Sequence, residues 1–467
     1  MKNALTAALL LGLLAGCKSL VEDLNVDPNN PQTATAITML TGTELANIIV
    51  QEGETARRSG IWNGYFQGQL FNYQSHQQYS VGANDFNDPW SLAFAATLKN
   101  ARLMRQKALE VNNRRLAGVA QVLEANAAGT ATALWGDIPF REAYNPSFPN
   151  PRFDPQPQVY GDLQTLLDSA IVNLNSTAFL DFAGQDIQFQ GNVVKWRQVA
   201  YTLKARYYLH SKQYAQALAA AQNGVNAAAN SLLALHLDNA NGSNLYHQFL
   251  VEERVDYLTV GPFAVSLINP TGTRYRGHAK TIERARYNFL YSNATTLNTG
   301  ADGVFARLTP FPLVSYQENL LILAECDARV NGFAAGLARL NGYRVFLAAG
   351  GYLPARFVVA ANLRYDPFVA ADFAAGGLEN PAPASLAPER ALLREIVQER
   401  YVTFFGQNEG FNDTRRTQKE PDIRVPLAPN VGTQLPQRFL YPQTEVDRNS
   451  STPGPIPGLY APTPVNR

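Results

Sequence analysis

With 467 residues, 46% hydrophobic and only 16% charged, the chain can bury a large core and lies far from the composition of a disordered protein. Its 39 Lys and Arg balance 38 Asp and Glu, so no global charge draws it to nucleic acid, and basic pairs such as Arg57-Arg58 and Arg415-Arg416 read as solvated surface or as carboxylate partners. The 21 Tyr, 24 Phe and 4 Trp form an aromatic surplus that suits ligands with flat apolar faces.

At the N-terminus Lys2 precedes an apolar run from Ala4 to Leu14, too short to span a bilayer, which closes in Leu14-Ala15-Gly16-Cys17. This resembles a bacterial lipoprotein signal. Residues 1–16 are expected to be removed and Cys17 to become the lipidated first residue; the alternative is an ordinary secretory signal in which the Cys is incidental. Residues 17–34, with Asp27-Pro28-Asn29-Asn30-Pro31, read as an extended tether. Lipidation of Cys17 leaves Cys326 alone, inside an apolar helical run, so no disulfide is expected and Cys326 reads as a small core residue.

From Thr35 the pattern is helical, with Leu40, Leu45, Ile48 and Ile49 forming an apolar stripe. Residues 60–91 change character: Trp62, Tyr65, Phe66, Phe71, Tyr73, Tyr79, Phe86 and Trp90 are interleaved with Asn, Gln and Asp and flanked by Gly60, Gly64, Gly68 and Gly82, an arrangement suggesting an exposed polar surface. Trp90–Val111 and Leu116–Leu134 predict an antiparallel helical hairpin. In its second arm, Gly118, Ala125, Ala128 and Gly129 keep the surface small enough for close neighbours, while Gly136 and Pro139 write a sharp stop. Helices are predicted again over Val159–Leu174, Trp196–His210 and Tyr214–Val225, the last two with the nesting of a tetratricopeptide-type hairpin. Residues 236–315 lose periodicity, as functional segments or subdomains do. Tyr316–Val330, Phe333–Leu347 and Glu389–Phe405 complete the helices around a Gly/Ala/Pro-rich insertion at 349–388, and a Pro-rich tail runs from about 420 to 467.

The stop Leu134-Trp135-Gly136-Asp137-Ile138-Pro139-Phe140 after a small-residue helix resembles the SusD/RagB family. Four further stretches match it in order: Pro312–Glu318 leading to Leu323-Ala324-Glu325, Glu399–Gly406, Glu409–Arg416 and Tyr441–Asn449. The resemblance covers nearly the whole mature chain. Phe411 departs from it, standing where a charged or polar residue is expected. The fold implied is mainly α: a tetratricopeptide-like scaffold of helical hairpins over about 35–235 and 316–410, with long irregular loops at 236–315 and 349–388 forming a loop-rich subdomain, all within one domain spanning 35–467. The resemblance also implies a lipid-anchored outer-membrane protein at the cell surface, binding oligosaccharide and delivering it to a SusC-like TonB-dependent barrel. Family members differ in cargo, so peptide import is a second reading, and an envelope adaptor without a small ligand a third.

No Gly-x-Ser-x-Gly elbow, phosphate-binding Gly-Lys motif, dinucleotide Gly turn or paired-Cys site occurs, and the five histidines are dispersed, so neither enzyme chemistry, cofactor nor metal is expected. Asp85 and Asp88 beside Asn84 and Asn87 carry oxygens of the kind calcium takes, yet such residues make ordinary solvated turns. Arg400, Arg415 and Arg416 are expected to pair with Glu399, Glu409 and Asp413 as scaffold. Binding is expected on the aromatic and amide loops, at Trp62, Tyr65, Tyr73, Tyr79 and Trp90, with Arg274, Tyr275 and Tyr291 closing over them. Sugar rings stack their C–H faces on aromatic rings, while amides and guanidinium groups bond the hydroxyls.

Overall fold

The computed structural model describes residues 35–360 and 362–467; the expected signal, tether and Cys17 lie outside the described residues. The first helix, α1 (Ala36–Glu52), starts where Thr35 Oγ1 accepts the Thr38 N–H at 3.4 Å, and α2 (Glu54–Trp62) follows directly. A π-helical segment, Leu92–Leu98, leads into α3 (Lys99–Glu110) and lets Trp90 stack on Phe94 at 4.1 Å between ring centroids. Then come α4 (Arg114–Trp135), α5 (Gln156–Leu174), α6 (Val193–His210), α7 (Tyr214–Ala221), α8 (Tyr316–Val330), α9 (Phe333–Ala348), α10 (Pro388–Thr403) and α11 (Asn408–Arg416). From α3 to α9 each helix packs on the next, and α10 lies against α8 and α9. The result is the mainly helical, tetratricopeptide-like scaffold that the resemblance implies.

The stack turns about α4, which is buried on every face from Leu116 to Trp135. Its small residues are required: a Cβ on Gly129 would lie 2.2 Å from the Tyr207 ring of α6, and one on Gly118 would lie 2.7 Å from Leu174 of α5. At its end Gly136 takes φ +86°, its N–H bonding Thr132 O at 2.9 Å. The C-terminal tail finishes the job. The Phe439 N–H bonds Leu134 O at 2.8 Å, Trp135 Nε1 bonds Leu440 O at 2.9 Å, Tyr441 Oη bonds Asp137 O at 2.9 Å, and Arg415 donates to Ala133 O at 2.8 Å. A guanidinium at the carbonyl end of a helix also answers its dipole.

Eight short strands among the described residues pair antiparallel in twos: β1 (Phe66–Gly68) with β3 (Leu258–Val260), β2 (Leu232–Ala234) with β7 (Phe311–Val314), β4 (Thr281–Ile282) with β8 (Arg364–Tyr365), and β5 (Tyr291–Asn293) with β6 (Thr296–Leu297). These pins organise residues 236–315, where short helices at Pro262–Ile268 and Arg284–Leu290 replace long periodic ones.

Two buried ion networks tie loops to scaffold, and their pairing differs in part from expectation. Arg400 and Arg416 do hold Asp413, at 2.7 and 2.8 Å, and Arg416 grips Glu325 at 2.6 Å. Glu399 instead pairs with Arg276 at 2.6 Å and with Arg286, while Glu409 pairs with His210 at 2.8 Å. Burial opposes ionisation of Glu399, yet Arg286 and Arg276 hold its carboxyl well below the usual range. Arg415 takes no carboxylate; its guanidinium lies over Phe411 at 4.2 Å, which explains an apolar residue at that position.

Candidate functional site

The structure corrects the expectation that the rings of residues 60–91 face solvent. Trp62, Tyr65, Tyr73, Tyr79 and Trp90 are buried, as is Tyr291. Trp62 meets Phe439 edge-on at 5.3 Å and donates Nε1 to His76 O at 3.0 Å. Tyr65 and Tyr401 pack at 4.7 Å, and the Tyr65 hydroxyl donates to Tyr401 O at 2.6 Å. The hydroxyl of Tyr73 accepts from Arg57 Nε at 2.8 Å, that of Tyr79 from the Asn430 N–H at 2.8 Å. Trp90 meets Trp135 edge-on at 5.3 Å, and Tyr291 meets Phe405 edge-on at 5.5 Å. Within residues 60–91 the physical reason is shared. Most of the interleaved amides take the solvent side of short elements and leave the inner side to the rings, and the polar atoms of Trp62, Tyr65, Tyr73 and Tyr79 bond neighbours within the core. Arg274 is exposed, over the Phe263 ring at 5.5 Å, and half-buried Tyr275 accepts from the Glu283 N–H at 3.3 Å.

One ring of the stretch does face solvent. Phe71 is 73% exposed and opens the helix Phe71–Gln77, one face of which points Tyr73 and His76 into the core. Its backbone is left-handed, with φ +48°, a region that costs a bulky residue about 1–2 kcal/mol. Neither burial nor backbone preference accounts for a phenylalanine here. Its ring stacks on Tyr257 at 5.4 Å and 24° between planes. Tyr257 is braced from behind by the edges of Tyr73 and Phe249, both at 6.1 Å, and Arg254 lies 5.9 Å from its centroid.

The β1–β3 pair aligns this platform. Gln67 stands opposite Thr259, the Gln69 N–H bonds Tyr257 O at 2.9 Å, and the Gln69 side chain reaches Thr259 Oγ1 at 3.0 Å. Gly68 is needed between them, because a Cβ there would fall 2.0 Å from Tyr73 O. Two stacked rings thus stand beside a row of amide and hydroxyl groups, with Asn72 and Gln74 also exposed. Such a surface can stack on a flat apolar face and bond hydroxyls around it; it brings together no nucleophile and base. Among the described residues no group of three or more His, Cys, Asp and Glu is placed to hold a metal, and no helix is long and apolar enough to cross a membrane. Both platform residues carried a sequence signal. Phe71 lies on the opposite side of a helical wheel from Tyr73, and Tyr257-Leu258-Thr259-Val260 alternates with Tyr257 and Thr259 outward.

Comparison with known proteins bears on this arrangement. A family model, SusD-like, described as starch-binding and associating with the outer membrane, matches residues 28–442. Among solved structures, a SusD/RagB family protein from Bacteroides thetaiotaomicron superposes with a TM-score of 0.68 at 18% identity, covering 90% of this chain and 95% of that one. A chitin-binding protein gives 0.67 at 20% identity, covering 89% and 94%. A chitin-binding SusD homolog from Flavobacterium johnsoniae gives 0.65 at 14%, covering 92% and 97%. No curated protein matches the sequence. With a family model spanning most of its length, and the scaffold and closing turns already described, the chain belongs to the SusD-like family.

Proposed function

We propose that the protein is a lipid-anchored binding protein of the cell surface, which captures oligosaccharide on the Phe71–Tyr257 platform and passes it to a TonB-dependent barrel. The observation that carries this reading is the exposed, strained stack of Phe71 on Tyr257 beside Gln67, Gln69 and Thr259. Family membership supports the ligand class, since the family is described as starch-binding and two similar structures are described as chitin-binding. Arg254, beside the Tyr257 ring, supplies a further donor for hydroxyl groups. The role is binding without turnover.

Isothermal titration with chitin and starch hexasaccharides tests it. Phe71→Ala and Tyr257→Ala should each weaken binding of the preferred glycan by about tenfold, the scale of one lost stacking ring. Unchanged affinity in both variants, or binding of peptides and no glycan, would remove the proposal. For the anchor, Cys17→Ala should release the protein from the outer-membrane fraction. Retention of that variant in cells lacking the barrel would show another attachment. Gentle solubilisation of native membranes should recover the protein together with the barrel.

A further inference from the structure

A cavity of about 210 Å³ lies where the 236–315 loops, the 349–388 insertion and the helical scaffold meet. Its floor is Leu290, Phe311, Val402 and Phe405, all buried, and its rim carries exposed Ala228 and Pro310. None of the residues lining it is charged. A dry cavity of ~150 Å³ with Leu, Ile and Phe walls takes up benzene, and drug-sized pockets begin near ~300 Å³. The space here fits one six-membered ring with a small substituent and excludes a disaccharide.

One polar group faces this apolar space without a protein partner. Gln317, in the first turn of α8, is only 6% exposed and lines the cavity, yet its side-chain amide makes no hydrogen bond to protein. Its neighbours differ: the Thr403 hydroxyl is engaged by Tyr343 Oη at 2.7 Å, and Ser231 Oγ accepts the Tyr316 N–H at 3.0 Å. Both its donor and its acceptor are therefore open to a group that enters the cavity. The complementary partner is another amide.

We propose that this cavity is a second ligand site, separate from the Phe71–Tyr257 platform, which takes an uncharged single-ring compound bearing one carboxamide or lactam group paired with Gln317. The ring occupies the space between Phe289, Phe311 and Phe405, and the amide exchanges two hydrogen bonds with the Gln317 side chain. Because its walls come from the loop region, the insertion and α10 together, occupancy fastens these parts to one another.

The test uses the soluble mature chain with benzamide and toluene as probes, followed by ligand-observed NMR and by crystals soaked in each. Benzamide should bind saturably with its ring in the cavity. Gln317→Leu should weaken benzamide by about tenfold, the scale of one or two hydrogen bonds, and leave toluene binding intact. Val402→Trp, which fills the floor, should abolish binding of both; if that variant does not fold, Leu233→Trp at the half-buried rim serves the same purpose. Phe71→Ala should leave benzamide binding unchanged, so failure of the glycan platform and failure of this site are told apart. Benzamide binding that is absent in the folded wild type, or that survives the filling variant, overturns the proposal, as does equal weakening of toluene and benzamide by Gln317→Leu.

Discussion

Replacement of Glu44 by Gln should remove part of the pH dependence of the protein's stability. Glu44 lies on α1, 1% exposed, where Oε2 accepts the Ile187 N–H at 3.0 Å and the carboxyl faces Asp186. Asp186 in turn accepts from the N–H groups of Gln188, Phe189 and Gly191 at 3.0, 2.9 and 2.8 Å and from Trp196 Nε1 at 2.9 Å. Burial first, and the neighbouring Asp186 second, push the Glu44 carboxyl up from its ordinary 4.5 to about 10. A group whose pKa is higher folded than unfolded stabilises the fold fully below the unfolded value, and this contribution is lost as pH rises toward the folded value. Between pH 5 and pH 9 the wild type should therefore lose stability with a slope of at most about 1.4 kcal/mol per pH unit, or about 3 kcal/mol by pH 7. Gln keeps an N–H for Asp186 and an oxygen for Ile187 but has no proton to lose. Calorimetric melting from pH 5 to pH 9 should show the two proteins close at pH 5 and the Glu44→Gln variant more stable by about 2–4 kcal/mol at pH 8, a few degrees in Tm. Parallel curves across the whole range would refute the assignment of a buried neutral carboxyl.

Other substitutions separate platform from core. Phe71→Gly relieves a left-handed backbone worth about 1–2 kcal/mol and loses an exposed stack worth about 0.5–1 kcal/mol, so denaturant unfolding should show unchanged or slightly raised stability while glycan binding falls; a loss above about 1 kcal/mol contradicts this. Trp62→Ala should cost about 3–5 kcal/mol by the same measurement, as expected for a ring enclosed by Phe86, Phe411 and Phe439, and a near-neutral result would return Trp62 to the surface. Gly129→Ala should cost about 1–3 kcal/mol by driving Tyr207 off the Ala125 carbonyl it bonds at 2.8 Å, with part recovered on adding Tyr207→Leu; additive losses in the double variant would place the strain elsewhere.

The long helices and the stop after α4 were legible because the signals are local: apolar spacing, small residues and a glycine with a proline three residues on. Helix α11 was not: its charges read as pairing with neighbours in sequence, whereas Arg416, Glu409 and Arg415 take Glu325, His210 and Ala133 O, which only the fold brings to them. The aromatic stretch misled for a related reason. Amides between rings show that an element has a wet side, but which ring shares that side depends on the period: in the helix Phe71–Gln77 it is Phe71, and Tyr73 goes inward. Gln67 and Gln69 were read correctly as polar surface, while their partner Thr259 and the ring of Tyr257 come from nearly two hundred residues later.

The closure of α4 by the tail fixes an order of events. Trp135 and Leu440 are 305 positions apart, and the carbonyls of Leu134 and Trp135 find their donors only in Arg438 and Phe439. The most central helix therefore stays open at one end until the partners 305 positions further on have been made. The part ready to fold first thus lacks its final clasp while the remainder is still being synthesised, and its last contacts are the ones farthest apart in sequence.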